Sequence, residues 1–469
     1  MNSGPARLGA TLLLAATLGG CAAGPDFVAP LPPSQRGYTP QPLRPADAGA
    51  ADPRQTIAAG AAAPRWWRGF DSRALDDVVE LALRDSPRLA QAVDALAQAD
   101  ALARAEAGAR LPQLDVDAQA VRSGGGGAPA AHAYSAGPLV SYDADAFGRR
   151  RRLVEQQFAL AEVQRAQLDA VRQALVAAVV ARAIDVAAAR AQLAAVAQLL
   201  ETDRAALAQT LAAQAAGGAS AADVAAARSQ LAADETLLPP LRQGEALARD
   251  ALAVLVGHAP ADWRPPHFDF AQLQLPLELP LVVPSALVRQ RPDIVAAQAQ
   301  LHAASAALGV ASADLYPQLT LSASWSWQAS AVGALFDQPA LWQLAAGATA
   351  PLFHGGALRA RRDAAAAAWR GQLAAYRDTV LGAFGQVADV MQALDHDAQL
   401  LAAQGRALAA AETSLRLQQA AWAAGGASYA QVLLAQRARQ QALLGVVRAR
   451  AQRYLDTAQW FAAIGAACD

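Results

Sequence analysis

Two periodicities divide this chain. Leu114, Val116, Ala118 and Ala120 alternate with Gln113, Asp115, Asp117 and Gln119, and period two over that length predicts a β-strand. After four glycines at 124–127 the alternation returns, with Val140, Tyr142 and Ala144 set against Ser141, Asp143 and Asp145. A second pair lies downstream. Leu319, Leu321, Ala323, Trp325 and Trp327 alternate with Gln318, Thr320, Ser322, Ser324 and Ser326, and Trp342, Leu344, Ala346 and Ala348 with Gln343 and Thr349. Hairpins are therefore expected at about 113–147 and 318–353. No charge occurs between 315 and 336, yet Pro317 and the period-two polarity argue against a spanning helix.

Each hairpin leads into an unusually long helical pattern. Residues 149–216 contain no glycine or proline, and 357–424, of equal length, contain no proline. At 1.5 Å per residue either helix would extend about 100 Å. Val380, Val387, Leu394, Leu401, Leu408, Leu415 and Trp422 recur every seven residues, as do Val179, Val186, Leu193, Leu200 and Leu207. A sustained heptad implies left-handed supercoiling. A shorter helical pattern, from about 71 to 110 and broken at Pro87, precedes the first hairpin.

The chain is one unit written twice. Pro87 and Pro292, in SPRL and RPDI, are 205 apart, as are Pro112 and Pro317, in LPQLDV and YPQLTL. Gly148 and Gly356 are 208 apart, and so are the two copies of AAGGAS at 215–220 and 423–428. One three-residue difference in loop length explains the change, as in a duplication. Each AAGGAS follows a long helix and precedes another helical pattern, at 221–256 and 430–461. Gly217, Gly218, Gly425 and Gly426 would release the chain from the helix through a left-handed conformation, and Ser220 and Ser428 would cap the returning helices. The expected layout is a signal at 1–20, an extended tether at 21–65, a first repeat at 66–257 with its tip at 217–220, a Pro-rich linker at 258–285, and a second repeat at 286–469 with its tip at 425–428.

The N-terminus changes where this unit belongs. Arg7, an apolar run at 8–18 and small residues before Cys21 read as an export signal. LGGC at 18–21 resembles a bacterial lipobox, which implies that Cys21 is acylated. Ala22 follows it rather than the aspartate that retains lipoproteins in the inner membrane of enteric bacteria, so outer-membrane delivery is expected. With Cys21 acylated, Cys468, the other of two cysteines, has no disulfide partner. A net charge of −1 points to no nucleic-acid partner.

Six scattered histidines show no metal-ligand spacing, and no nucleophile elbow or phosphate loop is present. Nothing points to an enzyme or a cofactor. Two alternating hairpins in an exported chain predict instead a membrane β-barrel. Four strands cannot close one, because open edges are not tolerated in lipid. Three copies would supply twelve strands. Heptads alone would also suit a lipid-anchored periplasmic coiled-coil scaffold that forms no pore.

The residues resemble the outer-membrane factors, the TolC/OprM-like channel proteins, in their NodT-type lipoprotein branch that serves resistance-nodulation-division efflux systems. CAAGPDF at 21–27 resembles that branch's mature start, RWWRGFDSRALDDVVELAL at 65–83 its first helix, and PSALVRQRPDIVAAQAQL at 284–301 its most specific signature. The resemblance implies a mainly α chain with a membrane β-barrel: a homotrimer with a 12-strand barrel in the outer membrane, set on an α-helical barrel across the periplasm. It implies tips that meet a periplasmic adaptor and form an aperture, an inner-membrane pump as further partner, and export of drugs or other small toxic compounds. A conduit for protein secretion is the alternative within channels. Where the family often carries aperture carboxylates, the second tip has Gln431 and Leu434, and the first tip retains Asp223. Asp115, Asp117, Asp143 and Asp145 are expected as lumen charge, and Trp325, Trp327 and Trp342 as lipid-facing aromatics.

Overall fold

The alternating segments pair with one another. In the computed structural model, which describes residues 23–32, 34–35, 37–40, 55–125 and 130–468, four strands form one antiparallel sheet. Ahead of them in the chain come a short strand β1 (Thr56–Ala59), α1 (Arg73–Asp85) and α2 (Pro87–Gly108). The first hairpin is β2 (Gln113–Ser123) and β3 (Ala131–Ala144). After α3 (Arg149–Ala215), α4 (Ala221–Glu235), α5 (Leu238–Leu255), a second short strand β4 (Glu278–Leu281), α6 (Pro284–Gln290) and α7 (Pro292–Ala313) comes the second hairpin, β5 (Gln318–Ala329) and β6 (Leu341–Thr349). The chain closes with α8 (Ala357–Ala423) and α9 (Tyr429–Ala463).

The sheet order is β2-β3-β5-β6, so each hairpin contributes one inner strand and one edge. Register keeps the two faces distinct. Leu114 faces Val140, Val140 faces Ala323 and Ala323 faces Leu344, one apolar row across four strands. Gln113, Ser141, Ser322 and Ala345 form a row of the opposite face. A one-residue slip would exchange the faces. Gly137 is required by a close approach: a Cβ there would lie 2.0 Å from the Trp325 carbonyl oxygen.

The described chain packs as two compact units, and both draw on both repeats. One takes the residues through Leu31, Asp94–Ala166 and Val295–Thr379, and so holds the sheet. In it the start of the tether is pinned: Ala23 N–H donates to Phe147 O at 2.9 Å, Phe27 stacks on His302 and Arg152 binds Asp26 at 2.7 Å.

The other unit comprises Pro32–Val93, Gln167–Ile294 and Val380–Asp469. Trp66, Trp67 and Phe70, in a single 3-10 turn, are its buried centre, with Trp66 stacked on Phe461. β1 pairs in parallel with β4, so the tether carries a strand that its weak periodicity did not announce. Tyr38 also ties that segment down by donating to Val282 O.

The return from the first tip is two helices rather than one. α4 ends at Glu235, and α5 starts with prolines in its first turn, where a missing N–H costs nothing. Pro239 and Pro240 therefore open a helix. Gly257 and Gly465, again 208 apart, end α5 and α9 at φ of 84° and 70°. Each ends in a six-to-one bond, from His258 N–H to Ala253 O and from Ala466 N–H to Phe461 O, both 3.0 Å. Both also sit against the proline-marked junctions. A Cβ on Gly257 would lie 2.3 Å from Asp85 O, and one on Gly465 would lie 2.9 Å from Arg291 Cγ.

Arg291 explains the RPDI signature. Its buried guanidinium grips Asp293 through two bonds, 3.0 and 2.6 Å, donates to Gln386 Oε1 at 2.8 Å and to Ala463 O at 2.9 Å. One side chain thus joins the start of α7, α8 and the end of α9.

Candidate functional site: the hairpin tips and the sheet

The two tips repeat the same turn. Gly217 and Gly425 have φ of 76° and 73°, a left-handed conformation that strains almost every residue type but glycine. Gly218 N–H donates to Ala213 O and Gly426 N–H to Ala421 O, each at 2.8 Å. Gly217 donates to Gln214 O, and Gly425 to Trp422 O. These are the paired six-to-one and five-to-two bonds of the Schellman motif, which satisfy carbonyls that a helix end leaves open. The second glycine of each tip differs. Its φ is not left-handed, and an added Cβ would make only ordinary contact, 3.5 Å, with the Ala213 or Ala421 oxygen.

The residues after the glycines start the return. Ser220 Oγ accepts from Asp223 N–H at 3.1 Å, while Asp223 Oδ2 accepts from Ser220 N–H at 2.9 Å and from its hydroxyl at 2.7 Å. This is a capping box. The backbone N–H and then the hydroxyl of Ser220 hold the Asp223 carboxyl below its usual range. The carboxylate expected at the aperture is therefore engaged with its own helix end. Gln431 sits in the corresponding place, its Oε1 accepting from Ser428 N–H at 3.3 Å. Leu434 is exposed.

Periodicity placed Trp422 but not its partner in the aromatic support behind the second tip. Trp422 packs on Tyr429 with ring centroids 5.3 Å apart. Tyr429 joins Ala227, Leu415, Val432 and Ala435 in a buried cluster. The available signal was position: Trp422 ends the heptad run and Tyr429 begins α9.

In the sheet, Asp115 and Asp117 lie on the polar face of β2, exposed. Asp143 is exposed on β3 and accepts from Arg150 Nε at 3.1 Å. Asp145 departs from expectation. β3 ends at Ala144, and Asp145 accepts from the N–H groups of Arg150 and Arg151, both at 2.8 Å, in the first turn of α3. It is half-buried and caps a helix, because the first N–H groups of a helix have no partner of their own. Its parity with β3 was a coincidence of spacing.

Trp325 and Trp342 face each other across β5 and β6 and are 50% and 68% exposed. Trp327 shares their face but is half-buried, edge-on to Phe336. Cys21 lies outside the described residues. Cys468 is buried, its thiol donating to the Ala466 carbonyl oxygen at 3.7 Å.

A sheet with one apolar face, two unpaired edges and long helices folded back at glycine tips defines a channel protein of the outer membrane. Solved structures share this fold. The outer-membrane channel OprN superposes with a TM-score of 0.84 over 95% of this chain and 99% of that one, at 25% identity. The open state of the Neisseria gonorrhoeae MtrE outer membrane channel superposes with a TM-score of 0.83 over 96% of this chain and 99% of that one, at 23% identity, which shows the fold. The pyoverdine export outer membrane protein OpmQ of Pseudomonas aeruginosa is 32% identical over 449 residues, 92% of this chain and 93% of that protein.

The family model for outer membrane efflux protein matches twice, over residues 78–258 and 283–466, one match on each repeat. The chain belongs to the outer membrane efflux protein family. It is the outer-membrane channel of a tripartite efflux pump, and its place is the outer membrane, reaching into the periplasm. Membership in a family of transport channels decides against a scaffold that forms no pore.

Proposed function

We propose that three copies of this chain form a conduit for drugs or other small toxic compounds. The tips dock a periplasmic adaptor, and an inner-membrane pump of the resistance-nodulation-division type loads the channel. The observation that carries the assembly is the four-stranded sheet with β2 and β6 at its edges. An open sheet edge facing lipid leaves backbone groups unsatisfied. Joining β6 of one copy to β2 of the next removes every edge at twelve strands. The apolar row through Leu114, Val140, Ala323 and Leu344 then faces lipid, and the polar face lines the lumen. Small cargo is supported by OpmQ, whose name assigns it pyoverdine export.

Of the four acidic residues, Asp115 and Asp117 are the ones left to charge the lumen, since Arg150 and the start of α3 engage the other two. Charge in water is screened over about 10 Å at 0.1 M salt, so selectivity should be modest and strongest in dilute salt. Purified trimers in planar bilayers should conduct ions with a mild cation preference. The Asp115→Asn/Asp117→Asn pair should remove that preference. Absence of conductance would overturn the channel itself, and an unchanged reversal potential in the double variant would overturn the lumen assignment.

Trp325, Trp327 and Trp342 lie on the apolar face and suit an interfacial aromatic belt. Brominated lipids should quench their fluorescence, Trp325 and Trp342 most. Quenching no stronger than in detergent would place them elsewhere.

Cys21 is proposed as the lipid anchor. Two residues on, Ala23 is bonded at the turn between β3 and α3, which would hold the acyl chains beside the barrel rim. Mass spectrometry of the mature N-terminus should find diacylglyceryl-modified Cys21, and cleavage at another residue would refute it.

A further inference from the structure

Two acidic residues occupy positions where the heptads call for apolar ones. Asp203 on α3 follows Leu200 by three residues, and Asp397 on α8 follows Leu394 by three, each at the second apolar position of its heptad. Each lies against an aspartate on the returning helix, close enough to share a proton, Asp203 with Asp234 of α4 and Asp397 with Asp456 of α9; next to the first pair Arg204 meets Glu235 at 3.8 Å. All four are more than nine-tenths buried. Ionised carboxylates only accept, so two of them bond only when a proton sits between them.

The surroundings of the first pair are specific. Asp203 Oδ2 is buried and meets no hydrogen-bond donor among the described residues. Asp234 accepts from Gln230 Nε2 at 2.6 Å and from Gln440 Nε2 of α9 at 3.2 Å. Arg437 of α9 points its Nε at Gln230 Oε1, 2.6 Å away. Arg204 engages Glu201 and Glu235, while Asp223 caps its own helix at Ser220. From α9, Tyr429 faces the pair as a neutral phenol raised by burial. In the second pair Arg453 partly offsets the charge of Asp397; among the described residues no cation does the same for Asp203.

We propose that Asp203 and Asp234 are a proton-operated latch holding α4 against α3 about four helical turns from the first tip, closed while the pair shares a proton and released when that proton is lost.

Burial, and then the Asp234 carboxyl, push Asp203 up from 3.8 to about 7. An open hairpin would titrate near the lower value, so between the two values the closed form holds one proton more than the open form. Closure is therefore strongest in acid and weakens as pH rises, by about tenfold in the opening equilibrium per pH unit, until it levels off near the higher value. Asp223 acts with the opposite sign and below the ordinary carboxylate range, outside this window. Opening of the first tip would become easier as the periplasm turns alkaline, a consequence that rests on the tips being the moving end.

Hydrogen exchange of the trimer, followed in α4 peptides and corrected for the intrinsic rate, tests the latch without any export assay. Protection in wild type should fall about tenfold per pH unit between about 5 and 7 and then flatten. It should be pH-independent in Asp203→Asn. A flat wild-type profile, or an unchanged slope in that variant, overturns the proposal. If the variant does not fold, infrared spectra of Asp397→Asn trimers serve instead: a protonated-carboxyl band at pH 6 that vanishes by pH 8 is expected, and its absence at pH 6 overturns the latch.

Discussion

Gly218→Trp and Gly426→Trp should each reduce drug resistance to that of a strain without the channel, while trimers still reach the outer membrane in normal amount. The chain itself has room for the change, because a Cβ at either position meets only a carbonyl oxygen at 3.5 Å and neither φ is left-handed. An indole there projects from the turn into whatever docks on it. The neighbouring glycines make the contrast. Gly217→Ala or Gly425→Ala forces a left-handed residue, at about 1–2 kcal/mol, and should loosen the tip by strain alone. Minimum inhibitory concentrations alongside membrane trimer levels read the difference. Normal resistance in the tryptophan variants would remove the tips from adaptor docking.

Arg291→Ala should be the most damaging single change away from the tips. It strips a buried guanidinium from Asp293, Gln386 and the Ala463 carbonyl at once. Breaking a buried ion pair on one side costs about 3–5 kcal/mol. The Asp293 side chain is 44% exposed, so water rehydrates it and the lower figure is expected. Arg291→Lys should recover only part, since one ammonium cannot reproduce a planar grip on a carboxylate and two further acceptors. The thermal midpoint of purified trimers measures both. A midpoint unchanged in Arg291→Ala would show that the RPDI arginine serves something other than the junction of α7, α8 and α9.

What was legible in the sequence was whatever repeats with a fixed period. Alternation placed β2, β3, β5 and β6 because a strand's side chains change face at every residue. Heptads placed the long helices, and the 208-residue spacing placed both tips, where a left-handed turn admits glycine and little else. Asp145 shows the limit. Its parity matched β3, but parity does not say where a strand stops, and the unfilled N–H groups of α3 claimed its carboxylate. The return at 221–256 shows another, since its pattern reads as one helix while Pro239, welcome in a first turn, opens a second. β1 was invisible because a four-residue strand carries too little pattern, and its partner β4 lies more than two hundred residues away.

By itself, then, the sequence determined the repeat, the type and length of the main elements, the apolar and polar face of each strand and the need for more than one copy. All of these are local periodicities or composition. Only the tertiary structure decided which charged groups are engaged across the fold: Asp203 with Asp234, Asp397 with Asp456, and Arg291 with Gln386 and the Ala463 carbonyl. The physical reason is that the state of a polar group depends on the donors and the water within a few ångströms of it, and folding supplies those from segments whose separation along the chain carries no signal.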